Sequence, residues 1–274
     1  MPTRFCQGYG DDANRGKDAP VSRLPRKERQ NRLEWAYMIS VVIPAYNEEK
    51  FIGRSLASLA SQKGLQEKFE VIVVDNNSTD KTVGEVLKFK NKLNLRIVKE
   101  KVKGRGFARR RGFASARGRL ILSTDADTVV PSDWIKNTVG YLDREDIAAV
   151  TGPAIIDDCS RSTNFIFNLI NPSAMFLYKA AFGHCWVYGF NFGVRKELYK
   201  KIGGFNPKMD LYEDVDLGKR LNSVGRVKYV RSLTVKFSGR RFKKGFVYGA
   251  FPYIKGYVTC FFLKTETVVL DDVR

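Results

Sequence analysis

The chain reads as an α/β fold with a mainly parallel sheet, and three observations predict it. Short apolar, β-branched runs recur between residues 39 and 151. Segments with helical spacing alternate with them, and the alternation weakens only after Gly152. Acidic and Asn/Ser/Thr residues gather just beyond several of the runs, at the carboxyl ends of strands, where open α/β sheets bind ligands.

Each element follows from its own pattern. Ile39 to Pro44 is a buried strand, and Glu48 to Gln62 carries Ile52, Leu56, Leu59 and Ala60 at helical spacing. Phe69 to Val74 is a second strand. Ser78 or Thr79 is placed to cap a helix reaching about Lys90, with acidic Asp80 in its first turn. Leu95 to Val98 is a third strand, Arg105 to Arg117 a helix and Leu120 to Ser123 a fourth strand. Ser132 caps a helix to Tyr141, and Ile147 to Thr151 is a fifth strand. Further on, Phe165 to Phe182 is a helical stretch expected to break near Pro172. Tyr188 to Val194 is strand-like, Glu213 to Val224 a short helix and Arg226 to Val230 a strand.

The 274 residues are 43% hydrophobic, which excludes global disorder. Residues 1–37 are polar and basic and read as a disordered extension; residues 38–240 form the main domain, and 241–274 a basic, aromatic tail. Within that tail Phe246 to Leu263 is apolar, but Lys255, Gly249, Pro252 and Gly256 interrupt it, which favours an interfacial or core helix over a spanning one. The net charge of +19 calls for a polyanionic partner: nucleic acid, an anionic membrane or a phosphorylated substrate. The four cysteines form no CxxC pair, which excludes a Cys-based zinc site and fits a reducing, cytoplasmic setting. The single histidine, His184, excludes a His-based metal cluster and is read as structural.

The chemistry sits in the acidic residues. Asp125 and Asp127 follow the fourth strand and, at i and i+2, point to one side of extended backbone. Hard oxygen ligands of this kind suit Mg²⁺ or Mn²⁺ shared with substrate phosphates. Asp75 ends the second strand, a natural place to meet a ribose or base. Glu213, Asp214 and Asp216 open a helix, where a carboxylate serves either as general base or simply as a partner of the macrodipole. Lys99 to Arg119 holds nine Lys/Arg against one acid, and its glycines and alanines keep the helix slim enough for its start to approach a diphosphate. Leu217 to Lys264 holds twelve Lys/Arg, no acid and many aromatics, a composition suited to an anionic membrane surface or to single-stranded nucleic acid.

In this order the pieces resemble glycosyltransferase family 2. The match runs through Ser40-Val41-Val42-Ile43-Pro44-Ala45-Tyr46-Asn47-Glu48-Glu49, Val73-Val74-Asp75-Asn76-Asn77-Ser78-Thr79-Asp80, Ala108-Arg109 and Ser123-Thr124-Asp125-Ala126-Asp127. It continues in Gly189-Phe190-Asn191-Phe192-Gly193-Val194-Arg195, Ile202-Gly203-Gly204-Phe205 and Glu213-Asp214-Val215-Asp216-Leu217 followed by Arg220. The resemblance implies a GT-A fold, Rossmann-like with helices on both faces, and a UDP- or GDP-sugar donor. It implies Pro44, Tyr46, Glu48 and Asp75 around the nucleotide, with Arg109 also on the donor. Asp125 and Asp127 would hold ribose and a divalent cation, and Asp214 would be the base of an inverting displacement.

Two departures refine this. The Gln-x-x-Arg-Trp motif of processive synthases is absent, which favours single additions, and Ser238-Gly239-Arg240-Arg241 stands downstream instead, so Arg240 or Arg241 is expected on the diphosphate or an anionic acceptor. No series of spanning segments is evident, so peripheral attachment to the cytoplasmic face through the tail is expected, with a lipid or glycan as acceptor. A sugar-phosphate nucleotidylyltransferase needs a Gly-rich basic loop after the first strand, where Ala45-Tyr46-Asn47-Glu48-Glu49 stands. A nucleic-acid-binding module explains the charge but gives Asp125, Asp127 and Asp214 nothing to do.

Overall fold

A computed structural model describes residues 39–207, 209–210 and 212–261. The expected disorder of 1–37 and the far end of the tail lie outside the described residues.

The strands form where the apolar runs predict them. β1 (Ile39–Ala45), β2 (Phe69–Asp75), β3 (Leu95–Lys99), β4 (Leu120–Thr124), β6 (Ile147–Thr151), β8 (Asn191–Arg195) and β9 (Arg226–Tyr229) make a seven-stranded sheet in the order β3-β2-β1-β4-β8-β6-β9. Only β8 runs antiparallel to its neighbours, so the sheet is mainly parallel. A smaller sheet joins β5 (Thr128–Val129), β10 (Val235–Phe237) and β7 (Ala154–Ile155), with β10 in the middle.

The helices are α1 (Ile52–Ala60), α2 (Thr82–Leu87), α3 (Arg105–Ser115), α4 (Trp134–Leu142), α5 (Arg161–Phe182), α6 (Lys196–Lys201), α7 (Glu213–Leu221) and α8 (Phe246–Phe261). The period of two in β1 divides the core: Val41 and Ile43 pack on one face with Ile52, Leu56 and Trp134, while Val42 packs on the other with Ile72, Val74 and Phe113. Gly112 makes the second face possible, because a Cβ there would stand 2.3 Å from Val42 Cγ1. The small residues of α3 therefore serve its approach to the sheet.

Three expectations need correction. The helix after β1 starts at Ile52 rather than Glu48, and the one after β2 starts at Thr82 and ends at Leu87. The capping groups are spent between the two loops instead. Asn47 N–H donates to Ser78 Oγ (3.1 Å), Thr79 N–H to Asn47 Oδ1 (2.8 Å), and Glu49 N–H to Asp80 Oδ2 (3.1 Å). Asn47 and Asn77 accept positive φ angles of 53° and 66° to make this zipper, a conformation asparagine tolerates.

Third, α5 runs unbroken through Pro172. Its asparagines explain the hold. Asn171 Oδ1 accepts Ala154 N–H (2.9 Å). The Asn168 amide takes both N–H and C=O of Ile156 (2.9 and 3.0 Å), and that of Asn164 takes both from Cys159 (3.2 Å each). Spaced at i, i+4 and i+7, these amides lie on one face and bind the helix to β7 and the loop after it. α8 then packs on Ile156, Phe167 and Phe242 through Phe246, Ala250 and Tyr253.

Candidate active site

The site forms at the carboxyl ends of β1, β2 and β4. Pairing of β1 with β4 stops at Val42/Ser123, whereas pairing with β2 continues to Ala45/Asp75. β1 and β4 therefore part before Pro44, which has no N–H to offer, and a cleft opens between them. Pro44 is buried in β1; Tyr46 follows it with the Lys103 ammonium 4.7 Å above its ring centroid. Asp75 is buried, and its Oδ1 accepts Ser78 N–H at 3.1 Å.

Asp127 and Glu48 meet Arg240, which lies 192 residues beyond Glu48 along the chain. β10 pairs with β5, the strand directly after Asp127, and Ser238 N–H donates to Asp127 O at 3.2 Å. The next turn, a 3₁₀ helix over Arg240–Phe242, carries the guanidinium onto Glu48 in a bidentate pair (2.9 and 2.6 Å) and onto Asp127 Oδ2 (2.8 Å). It also lies over the Phe51 ring at 4.9 Å. Arg241 follows it in the same turn. Burial pushes the Asp127 carboxyl up to about 7; Arg240 opposes this, and the nearby carboxylates of Asp125 and Glu48 reinforce it.

Asp125 turns the other way, onto Arg109. The Arg109 side chain is 2% exposed and bridges Asp125 (2.7 Å) and Glu213. Burial works against its charge, but Asp125, Glu213 and Asp214 outweigh that and bind the proton more tightly. Glu213 is thus no mere macrodipole residue: it is the second half of a buried clamp. Burial pushes its carboxyl up to about 7 against the pull of Arg109, with Asp214 adding repulsion.

Asp214 sits beside this clamp. Its Oδ2 accepts Gly189 N–H and its Oδ1 accepts Val215 N–H, both at 2.9 Å. Burial raises its carboxyl too, opposed by Arg109 and those two amides. Gly189 is fixed in turn by Ser123 Oγ, which donates to its carbonyl at 2.8 Å. A Cβ on Gly189 would meet Arg109 Nη1, Cζ and Nη2 at 2.5, 2.7 and 2.8 Å, so only glycine leaves room for the guanidinium.

Asp125, Arg105, Arg109, Glu213 and Asp214 form the polar end of a pocket of about 740 Å³. The pocket lies between α5 and α8, so the tail that begins after Arg240 supplies one of its walls. In the sequence Arg105 is only one of nine cations in a run, and Glu213 only one of three acids at a helix start with no arginine partner in view. The start of α3 is taken up by the protein itself, since Gly106 N–H donates to Asp210 Oδ1 at 2.8 Å. His184 packs edge-on to Tyr178 at 5.3 Å.

A carboxylate pair thus stands after the central strand of a mainly parallel sheet, with a buried arginine beside it and the Asp214 carboxylate facing the pocket. The family model for glycosyl transferase family 2 matches residues 40–203, and the chain belongs to that family. TarS of Staphylococcus aureus, a poly(ribitol-phosphate) beta-N-acetylglucosaminyltransferase, is 38% identical over 106 residues, 38% of this chain and 18% of that protein. The probable glycosyltransferase YdaM of Bacillus subtilis is 30% identical over 212 residues, 73% of this chain and 50% of that protein. The chain thus spans half or less of these relatives.

Among solved structures, S. aureus TarS 1–349 in complex with UDP has a TM-score of 0.59 at 23% identity, covering 73% of this chain and 60% of that one. Mannosyltransferase PcManGT of Pyrobaculum calidifontis, in complex with GDP-Man and Mn²⁺, has a TM-score of 0.60 at 22% identity, covering 82% and 70%. The fold is GT-A, as the sequence motifs imply.

Proposed function

We propose that this chain transfers a sugar from a UDP- or GDP-sugar to an acceptor oxygen with inversion, Asp214 acting as base. The observation that carries the reading is the placement of Asp214: half-buried at the polar end of the pocket, aimed by two backbone amides, and beside the Arg109 guanidinium that holds Asp125 on the donor side. Asp214 takes the proton of an acceptor hydroxyl. The freed oxygen bonds to C1 of the sugar as the bond from C1 to the diphosphate breaks, and the electron pair leaves with the diphosphate. Attack opposite the leaving group inverts the carbon. A base whose carboxyl is raised by burial is suited to work near neutral pH. A phosphate acceptor needs no proton removed, and Asp214 then only positions it.

The residues fit a divalent cation. Asp127 and Asp125 offer hard oxygens, and burial, reinforced by the Asp125 and Glu48 carboxylates, pushes the Asp127 carboxyl up. Among the described residues no group of three or more His, Cys, Asp or Glu side chains is gathered to hold a metal, so diphosphate and water would have to complete the coordination of an ion there. Mg²⁺ or Mn²⁺ there would supply charge to stabilise the departing diphosphate. Arg240 carries charge into the same place and is proposed to turn from Glu48 and Asp127 onto the diphosphate, with Pro44, Tyr46 and Asp75 around the nucleoside. PcManGT, crystallised with GDP-Man and Mn²⁺, supports both parts of this reading.

We place the enzyme on an anionic membrane surface. Among the described residues no helix is long and apolar enough to cross a membrane. Instead α5 and α8 expose Phe165 and Leu177, Val247 and Phe251, with Lys243 and Lys244 exposed beside them. The free Cys159 and Cys185 fit a reducing compartment.

Thermal shift with a panel of UDP- and GDP-sugars in Mn²⁺, Mg²⁺ or EDTA tests the reading. A ligand at about 100 times its Kd adds about 2.7 kcal/mol. The expected result is a metal-dependent shift for one donor that Asp127→Ala abolishes while folding is kept. No shift with any donor refutes it. Failure to pellet with anionic liposomes refutes the membrane placement.

A further inference from the structure

We propose that the pocket between α5 and α8 binds the apolar chain of an amphiphilic acceptor, whose nucleophilic oxygen is thereby presented to Asp214. The inference rests on the transferase reading above, which marks Asp214 as the reacting end.

The pocket is built asymmetrically. One end holds Asp214 with Arg105 and Arg109, and the walls leading away from it are apolar. α5 contributes Phe167, Ile170 and Ala174, and α8 contributes Phe246, Ala250 and Ile254. The spacings i, i+3, i+7 and i, i+4, i+8 place each trio on one face, so the two helices turn complementary stripes towards the same space. That space, about 740 Å³, is in the range that encloses most of a drug-sized molecule. Ile170 and Ile254 are 44% and 63% exposed, so the apolar lining reaches solvent on both helices.

A wholly polar acceptor would leave these walls wet, and a wholly apolar ligand would press hydrocarbon against the charged end of the pocket. The occupant that satisfies both ends carries a hydroxyl or phosphate oxygen on a hydrocarbon chain. Arg105 sharpens the polar end: burial works against its charge, but Asp125 and its other acidic neighbours keep it protonated. Fixed cations beside Asp214 accommodate either head group.

The test titrates the full chain with n-alkyl phosphates and n-alkyl glucosides of four to ten carbons, below their micelle concentrations. Trp186 lines the pocket, so its fluorescence reports entry, with Trp186→Phe as the blank. Each methylene buried is worth about 0.8 kcal/mol, so Kd should fall about threefold to fourfold per carbon until the pocket is filled. Ala250→Trp and Ala174→Trp, on opposite walls, should each abolish that dependence while leaving the donor-induced thermal shift intact, which also reports that the variant is folded. Tighter binding by the phosphate series assigns a phosphate acceptor, and by the glucoside series a hydroxyl one; either supports the site. A Kd independent of chain length, or unchanged in both tryptophan variants, overturns the proposal while a persisting donor shift leaves the transferase reading standing. Chain-length dependence without any donor shift does the reverse.

Discussion

Replacing Arg240 by glutamine tests how the donor side is held together. In the parent the guanidinium makes two hydrogen bonds to Glu48 and an ion pair to Asp127, carboxylates that are 5% and 9% exposed. Glutamine keeps some of the volume and none of the charge, leaving both acids without this cation. Removing one partner of a buried pair costs about 3–5 kcal/mol, and the lower end applies because Arg240 is 14% exposed and water can enter. For a chain of this size about 3 kcal/mol corresponds to a fall in Tm of about 6–12 °C. Mn²⁺ should restore more of that loss in the variant than it adds to the parent, since it replaces the missing charge. If Arg240 turns onto the diphosphate, losing a charged hydrogen bond should also weaken UDP or GDP by about 10-fold to 100-fold. Differential scanning fluorimetry with and without Mn²⁺ and nucleotide reads all three effects. A variant that melts within a degree of the parent and binds nucleotide equally well refutes the reasoning.

Three further outcomes follow from the other clamp. Gly189→Ala drives a Cβ against three atoms of the Arg109 guanidinium and should cost about 1–3 kcal/mol in stability, with kcat falling about 100-fold as Asp214 loses its alignment; equal Tm and kcat would refute the tight fit. Asp214→Asn should lower kcat by about 100-fold to 10,000-fold with a hydroxyl acceptor while donor Kd is kept, and a fully active variant rules Asp214 out as base. The Glu213 carboxyl titrates near 7 in the fold against an ordinary 4.5, so between those values the folded chain binds more protons than the unfolded one. The contribution of this group to stability is therefore full below about 4.5 and is lost as pH rises towards about 7, by up to about 1.4 kcal/mol per pH unit. Denaturant titrations with chelator present should show Glu213→Gln flattening that slope.

What was legible in the sequence was whatever depends on neighbours along the chain. β1, β2 and β4 declare themselves because strands buried on both faces read as continuous apolar runs, and Asp75, Asp125 and Asp127 are found by standing just past them. Contacts across the fold were not legible. Ser78 and Thr79 look like caps, yet both find Asn47 in another loop. Pro172 looks like a break, yet side-chain amides anchor α5 right up to it. Glu213 and Arg109 are 104 residues apart, and nothing local announces that they touch. The pocket is the extreme case, since α8 reads as a basic tail until it is seen to face α5.

The asparagines of α5 have a second consequence, for the chain in concentrated solution. β7 is an outer strand of the small sheet, joined to β10 on one side only. Such a border invites a strand from another molecule. Here the N–H of Ala154 and both polar backbone groups of Ile156 are already occupied by Asn171 and Asn168. A helix thus seals the border of a sheet with side-chain amides, and the protection against self-association resides in residues remote from the strand in register. Engineering α5 to reshape the pocket therefore carries a colloidal risk whenever it alters Asn168 or Asn171, whatever it does to catalysis.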